Sequence, residues 1–332
     1  NTGDLQTIRD LYPRVKKYLG IWQKNSDGTI KFRAGEWTWG DWGDNIDIKV
    51  LFNAWYYIAL KGQRNMATAL DMKAEAEAID QEMQALKKAF NTVFWNGKAY
   101  RHPEYKLKTD DRVQALAIVS GLADEKKYPA LLNVLKQNEH ASPYMEKYVI
   151  EALFMMGENY YGMERMKRRF AEMVNDPERT TLYEGWGIGP NGFPGGTTNH
   201  AWSGGGLTIL SQYVCGVAPT EVGYKAYRIA PQPTGLKEAE TLVPTVKGNI
   251  KVSFKDDEKN FQLQVSSPQG AQATICLPSP CKAVTLNGKL VWQKGKKLLS
   301  GDSIVESIHQ EKNKTLSITM KNGGDWIFNA KK

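Results

Sequence analysis

The residues best suited to chemistry lie in two stretches rich in glycine and tryptophan. "YEGWGIGPNGFPGGTTNHAWSGG", residues 183 to 205, holds one acid, one histidine, two tryptophans and eight glycines. It is too rich in glycine for the interior of a regular element, yet a solvated linker rarely keeps residues such as Trp186 and Trp202. The stretch reads as a loop that carries side chains over a cleft. Glu184 is its candidate general base, because flanking aromatics (Tyr183 and Trp186) that strip water from a carboxylate raise its pKa. His200, at an expected helix start capped by Thr198 or Asn199, is a candidate hydrogen-bond donor to a ligand. Gly204, Gly205 and Gly206 inside that helix cost about 1 kcal/mol each against alanine, a cost that close approach of a ligand or another backbone would justify.

The second stretch, "FRAGEWTWGDWGDNIDIK", crowds Glu36, Asp41, Asp44 and Asp47 among Trp37, Trp39 and Trp42. Carboxylates accept paired hydrogen bonds from vicinal hydroxyls, and tryptophan faces cover the C–H faces of a pyranose, so the mixture suits a sugar. The competing reading is structural, with Asp44 or Asn45 capping the next helix and the tryptophans in the core. Between the two stretches, "NEHASPYMEKYVIEALFMMG" places Tyr144 and Glu146 at another helix start.

Other chemistries find no footing. No Gly-x-Ser-x-Gly elbow, P-loop or dinucleotide fingerprint occurs. The four histidines and three cysteines are scattered, so neither a metal site nor a disulfide framework is expected, and no cofactor is implied. The formal net charge of +8 raises the question of nucleic acid, but the basic residues gather only at Lys167 to Arg169, with Glu164 and Glu172 close by. That pattern reads as a solvated helix face, and no nucleic-acid partner is expected. No apolar run is long enough to span a bilayer, so membrane insertion is not expected either.

These residues need elements to position them. Up to about residue 216 apolar residues recur at helical spacing. Leu5, Ile8, Leu11, Val15 and Leu19 form one stripe, entered from cap chemistry at Thr2 to Asp4. "IDIKVLFNAWYYIALKG" reads as a buried helix ending at Gly62, and "MKAEAEAIDQEMQALKKAFNTVFW" as a long amphipathic one. Further helices are expected over 110–122, 125–138, 143–156, 159–174 and 199–215. Paired helices with short turns and no fixed repeat favour an α/α barrel over a solenoid. Beyond residue 217 the pattern changes to alternation punctuated by Asn-Gly turns, with "LNGK" and "KNGG" as hairpin turns. The expected architecture is therefore mainly α plus β: a helical barrel domain over 1–217 and an antiparallel β-sandwich over 218–332. Eight helices fall short of a six-pair barrel, so either the barrel is incomplete here or its first helices lie upstream of Asn1.

"TTLYEGW", "TTNHAWSGGGLTILSQYVCGVAP" and "GYKAYRIAPQP", in that order, resemble the end of the catalytic domain and the start of the C-terminal β-domain of bacterial α-L-rhamnosidases, glycoside hydrolase family 78. "GEWTWGDWGDN" resembles the family's Gly-Asp-Trp loop, "DRVQALAIVSGL" its alanine-rich helix, and "ASPYMEKYVIEAL" the helix that begins at its Pro-Tyr pair. The resemblance implies an (α/α)6 barrel followed by a β-sandwich, and inverting hydrolysis of terminal α-L-rhamnosyl bonds by one acid and one base. It puts Glu184 at the general-base position and Asp41, Trp42, Trp186 and His200 around the sugar, with Asp44, Tyr144 and Trp202 as further pocket residues. The implied substrate is a rhamnose-containing glycan or glycoside. Nothing here matches the family's Arg-Asp-Glu general-acid motif, so the chain is expected to be a C-terminal part that hydrolyses rhamnosides poorly alone; a periplasmic or secreted location follows if an export signal lies upstream. Three alternatives stay open: Glu36 or Asp44 as the acid, a non-catalytic carbohydrate-binding protein, and an α/α-barrel enzyme acting on another sugar.

Overall fold

The protein is described by a computed structural model covering residues 2–35, 38–188, 196–278, 280–298, 304–311 and 314–332. It divides into two compact units, one comprising Leu5–Gly206 and the other Leu207–Lys332 with the few residues before Leu5.

The first unit is helical: α1 (Leu5–Leu19), α2 (Ile48–Ala69), α3 (Lys73–Val93), α4 (Asp111–Ser120), α5 (Tyr128–Gln137), α6 (Pro143–Met155) and α7 (Asn159–Val174). Its centre is α4, whose Val113 and Ala115 to Ile118 are all 0 % exposed. That helix is buried nearly all round and therefore shows little amphipathic stripe. It packs against α2, α5 and α6. Its termini follow from local chemistry: Asp110 caps it by accepting from the Arg112 N–H, and Gly121 ends it with φ 84°, a left-handed turn that costs glycine little. Ser142 caps α6 in the same way, with Pro143 in its first turn.

Three expectations change here. Gly62 does not end α2, which continues to Ala69; its backbone is ordinary and a methyl there would meet nothing within 4 Å, so the glycine is tolerated as a small propensity cost. The helix is entered from Asp47, not from Asp44 or Asn45. In α1 the buried residues are Tyr12 and Leu19, while Leu5 and Leu11 of the expected stripe are 43 % and 45 % exposed. Tyr12 is drawn inward because its hydroxyl donates to Glu75 of α3.

The expected helix over 199–215 is a composite: a 3-10 turn at Ala201–Gly204, α8 (Gly205–Ile209) and a π-helical turn at Leu210–Val214. Its glycines explain the irregularity. A methyl on Gly205 would lie 2.5 Å from Lys147 Cβ, so α6 approaches its backbone directly.

The second unit holds two sheets. Its strands are β1 (Val217–Pro219), β2 (Ala226–Ile229), β3 (Glu238–Thr245), β4 (Gly248–Asp256), β5 (Asn260–Ser267), β6 (Gln272–Leu277), β7 (Ala283–Leu286), β8 (Lys289–Gln293), β9 (Lys296–Lys297), β10 (Val305–Gln310), β11 (Leu316–Met320) and β12 (Gly324–Lys331). One sheet has the order β1-β2-β6-β11-β10 and the other β3-β4-β5-β12-β7-β8-β9. Alternate residues of β4, β5 and β12 are buried, including Val252, Phe254, Leu263, Phe328 and Ala330. The Tyr227 hydroxyl of β2 donates to Ser267 Oγ of β5 at 2.5 Å and links the sheets. All pairings are antiparallel except β2 with β6, which the chain rejoins after building β3 to β5 in the other sheet.

Asn287 and Gly288, with φ 49° and 81°, make the expected β7–β8 hairpin turn. "KNGG" does not form a hairpin. It carries the chain from β11 in one sheet to β12 in the other, and Gly323 is needed because a methyl there would lie 2.2 Å from the Pro268 carbonyl oxygen. The cysteines are free; Cys215 and Cys276 are buried and Cys281 half-buried.

Candidate active site

A cleft of about 400 Å³ opens in the helical unit, its walls including Trp42, Gly43, His140, Ser142, Glu184 and Trp186. Three loop segments build it, two of them anchored by arginines carried on helices and the third by hydrogen bonds to Thr197.

The 41–45 segment is organised by Arg112, which α4 carries into the interior. Its guanidinium is fully buried, bonds Asp110 Oδ1 at 2.7 Å and Asp41 Oδ2 at 3.2 Å, and donates to the carbonyls of Asp44 at 2.7 Å and Asn45 at 2.9 Å. Backbone carbonyls that would otherwise splay are thus gathered on one cation. Asp41 Oδ2 also accepts the Ser142 N–H at 2.9 Å, tying this segment to the start of α6. Burial pushes the Asp41 carboxyl above the usual carboxylate range against the pull of Ser142 and Arg112, and burial likewise raises Asp110, to about 7.

The 138–142 segment is held from α7. Arg165, 1 % exposed, pairs with Glu146 Oε2 at 3.0 Å and Asp111 Oδ2 at 3.2 Å and donates to the Asn138 carbonyl at 3.2 Å. Arg169 donates to the carbonyls of Glu139, at 3.0 Å, and Ala141, at 2.6 Å. Its guanidinium also lies 4.4 Å from the Trp186 ring centre, while Trp186 Nε1 donates to the Ala141 carbonyl at 2.7 Å. One arginine therefore fixes both a segment of the cleft wall and a tryptophan in it. The "MKRRF" run is accordingly more than a solvated face: Arg169 points inward, and the partly exposed Arg168 pairs with Glu139.

Glu184 sits in the third segment, its side chain 22 % exposed. Its backbone N–H donates to the Thr197 carbonyl at 2.9 Å, and its Oε2 accepts from the Thr197 N–H at 3.1 Å and hydroxyl at 3.2 Å. Oε1 has no donor among the described residues. A carboxylate can only accept, so the Thr197 proton goes to it and the Thr197 oxygen accepts from His200 Nδ1–H at 2.7 Å. Of the flanking aromatics, Tyr183 is buried with its hydroxyl on Asp176, and Trp186 packs on Phe170 and against Arg169.

Behind the cleft Trp202 stacks on Trp39 at 5.8 Å and Tyr144 at 5.3 Å, contacts the His200 ring at 4.5 Å, and donates from Nε1 to the Glu184 carbonyl at 3.2 Å. Trp42 lies against Trp39 and Trp202 at 6.1 and 6.5 Å and stays 42 % exposed. Of the residues expected at the site, Trp42, Glu184 and Trp186 line the cleft and His200 is tied to Glu184. Trp202 lies against Trp42 and Tyr144 stacks on Trp202, while Asp41 is buried with Oδ2 on the Ser142 N–H. Asp44 is exposed, and its carbonyl accepts from Arg112. Glu36 and Trp37 lie outside the described residues.

Sequence reasoning passed over His140, Arg112, Arg165 and Arg169. The signal available for Arg112 was its place in the largely apolar α4, because a cation at a core position must be paired, whereas Arg165 and Arg169 lie among the charged residues of α7 and had no such signal. His140 had no comparable signal, being one of four dispersed histidines. Among the described residues no group of three or more His, Cys, Asp or Glu side chains has metal-binding geometry.

A hairpin-paired helical unit with an aromatic, carboxylate-bearing cleft, joined to a two-sheet β unit, defines a glycosidase-type architecture. Residues 1–214 match the bacterial alpha-L-rhamnosidase 6 hairpin glycosidase domain and residues 216–289 the bacterial alpha-L-rhamnosidase C-terminal domain. The chain belongs to this bacterial alpha-L-rhamnosidase family. An alpha-L-rhamnosidase of Formosa agariphila is 20 % identical over 317 residues, covering 86 % of this chain and 33 % of the relative. The structure of an alpha-L-rhamnosidase from Dictyoglumus thermophilum superposes with a TM-score of 0.84 at 20 % identity, over 100 % of this chain and 38 % of that one. That of Streptomyces avermitilis alpha-L-rhamnosidase complexed with L-rhamnose gives 0.80 at 18 % identity, over 99 % and 31 %. The fold is thus that of the (α/α)6-type barrel with a β-sandwich, and the chain spans about a third of the length of such relatives.

Proposed function

We propose that this chain supplies the general-base half of an α-L-rhamnosidase active site and binds the terminal rhamnosyl residue in the Trp42–Trp186 cleft. The observation that carries this reading is Glu184: it is the one carboxylate among the described cleft-lining residues, with Oε2 held by Thr197 and Oε1 left for water. A carboxylate fixed by one oxygen can orient a water and take its proton as the glycosidic bond breaks, the base role of an inverting hydrolase. Trp42 and Trp186 present apolar faces suited to a deoxysugar whose C6 is a methyl group. His200 holds Thr197 and through it the carboxylate. The proton for the leaving oxygen must come from an acid outside the described cleft-lining set.

The test is the Glu184→Gln variant of the full-length gene product, assayed for release of L-rhamnose from an aryl α-L-rhamnoside. Turnover should fall by about 10²- to 10⁴-fold while L-rhamnose still binds. A fall of less than about tenfold would remove Glu184 from the base role.

A further inference from the structure

The imidazole of His140 is placed in the cleft wall by an arrangement that also decides which of its nitrogens carries the proton. The Lys108 N–H donates to Asn45 Oδ1 at 3.1 Å, which fixes the orientation of the Asn45 amide. The amide nitrogen, Nδ2, then faces His140 Nδ1 at 3.4 Å. An amide NH2 only donates, so Nδ1 is the acceptor and the proton of the neutral ring resides on Nε2. The ring is held neutral because burial lowers its pKa, with the Arg112 and Lys108 charges adding to the effect and Asp111 and Asp44 opposing it. The pieces are tightly seated: Asn45 has a left-handed backbone, φ 57°, with its carbonyl on Arg112, and the His140 N–H donates to Asp111 Oδ1 at 3.2 Å.

Nε2–H, the product of this arrangement, is buried and has no acceptor among the described residues. An unanswered buried donor is costly, so a scaffold that specifies its tautomer and leaves it unpaired is set up for a partner that arrives later. His140 belongs to the same cleft as Trp42, Glu184 and Trp186, so what arrives is what the cleft binds. Two further buried polar atoms near this cleft, Asp41 Oδ1 and Trp39 Nε1, also lack a partner among the described residues.

We propose that His140 is a recognition residue for the glycone, donating from Nε2–H to one of its hydroxyl oxygens after a small side-chain rotation uncovers the nitrogen. Side-chain rotations of this kind commonly accompany binding. The inference rests on the sugar-binding reading of the cleft but assigns a residue that the reading itself does not use. It also explains discrimination: a sugar lacking the matched hydroxyl leaves the donor unpaired, which penalises the wrong ligand more than it rewards the right one.

The experiment titrates L-rhamnose and its monodeoxy derivatives into the full-length gene product, wild type and with His140→Leu or His140→Gln, with circular dichroism confirming that each variant is folded. His140→Leu should weaken L-rhamnose by about tenfold to a hundredfold, and His140→Gln, whose amide can still donate, should recover much of it. One monodeoxy derivative should bind wild type more weakly than L-rhamnose does, yet bind the leucine variant no worse than L-rhamnose does, so that the two losses do not add. Equal affinity of wild type and leucine variant, or strictly additive losses for every derivative, overturns the assignment while leaving the rhamnoside reading intact. If wild type ignores L-rhamnose but takes another monosaccharide in a His140-dependent way, the assignment stands and the rhamnoside reading fails. Binding of no monosaccharide at all overturns both.

Discussion

Glu139 shows how a single residue couples stability to the cleft. It accepts from Arg168 Nη1 at 3.0 Å and Arg169 Nη1 at 3.3 Å, and the hydrogen bond from Arg168 leads in lowering its pKa to about 2. Its folded value lies below the roughly 4.3 of an unfolded glutamate, so its contribution is fully present above that pH and is lost as pH falls through about 2. Acid unfolding followed by tryptophan fluorescence should therefore show a less steep loss of stability between about pH 4 and 2 in Glu139→Gln than in wild type, with the variant less stable at neutral pH. Identical acid limbs would mean that Glu139 is not paired in solution. The same residue scale explains why Asp41 was legible as important while its role was not. An aspartate among tryptophans looks like a sugar ligand, but only the fold reveals that Arg112 and the Ser142 N–H occupy one of its oxygens.

Among the elements, α2 and α4 illustrate two uses of glycine that look alike in sequence. Gly62 lies inside a helix with open space around its missing methyl, whereas Gly121 takes a left-handed conformation that ends one. Gly62→Ala should stabilise the protein by about 0.5–1 kcal/mol, and Gly121→Ala should destabilise it by a comparable or larger amount. Urea denaturation of the two variants beside wild type checks both signs; destabilisation by Gly62→Ala would indicate a packing neighbour at that position. Helix existence was legible throughout the first unit because apolar spacing is a local property. Where α2 stops was not, because a glycine's cost is decided by what surrounds it. The composite turn over 201–214 had the same difficulty: its three consecutive glycines announced a special backbone, but the approach of Lys147 to Gly205 is a tertiary fact.

At the scale of the whole molecule, each unit has its own core, and the described cleft-lining residues all belong to the helical one. On the proposed reading, with Glu184 the one carboxylate in that set, the chain of residues 1–332 is expected to bind L-rhamnose yet hydrolyse an aryl α-L-rhamnoside far more slowly than an α-L-rhamnosidase of the relatives' full length. Side-by-side rates for the two proteins decide this. Comparable turnover would place the acid within residues 1–332 and direct attention to carboxylates beyond the described cleft wall.

What the sequence by itself determined was whatever depends on nearest neighbours along the chain: the change of period near residue 217, the glycine-rich cleft loops, and the Asn287-Gly288 turn. The family resemblance rested on the same kind of signal, motifs read in order. Only the tertiary structure decided which polar groups meet across large sequence separations. It set Arg112 on Asp41 and the 44–45 carbonyls, Arg169 against the face of Trp186, Thr197 on Glu184, and Asn45 against His140. The physical reason is that a buried charge or donor must find its partner in three dimensions, and nothing in the local pattern around either member encodes where the other will be.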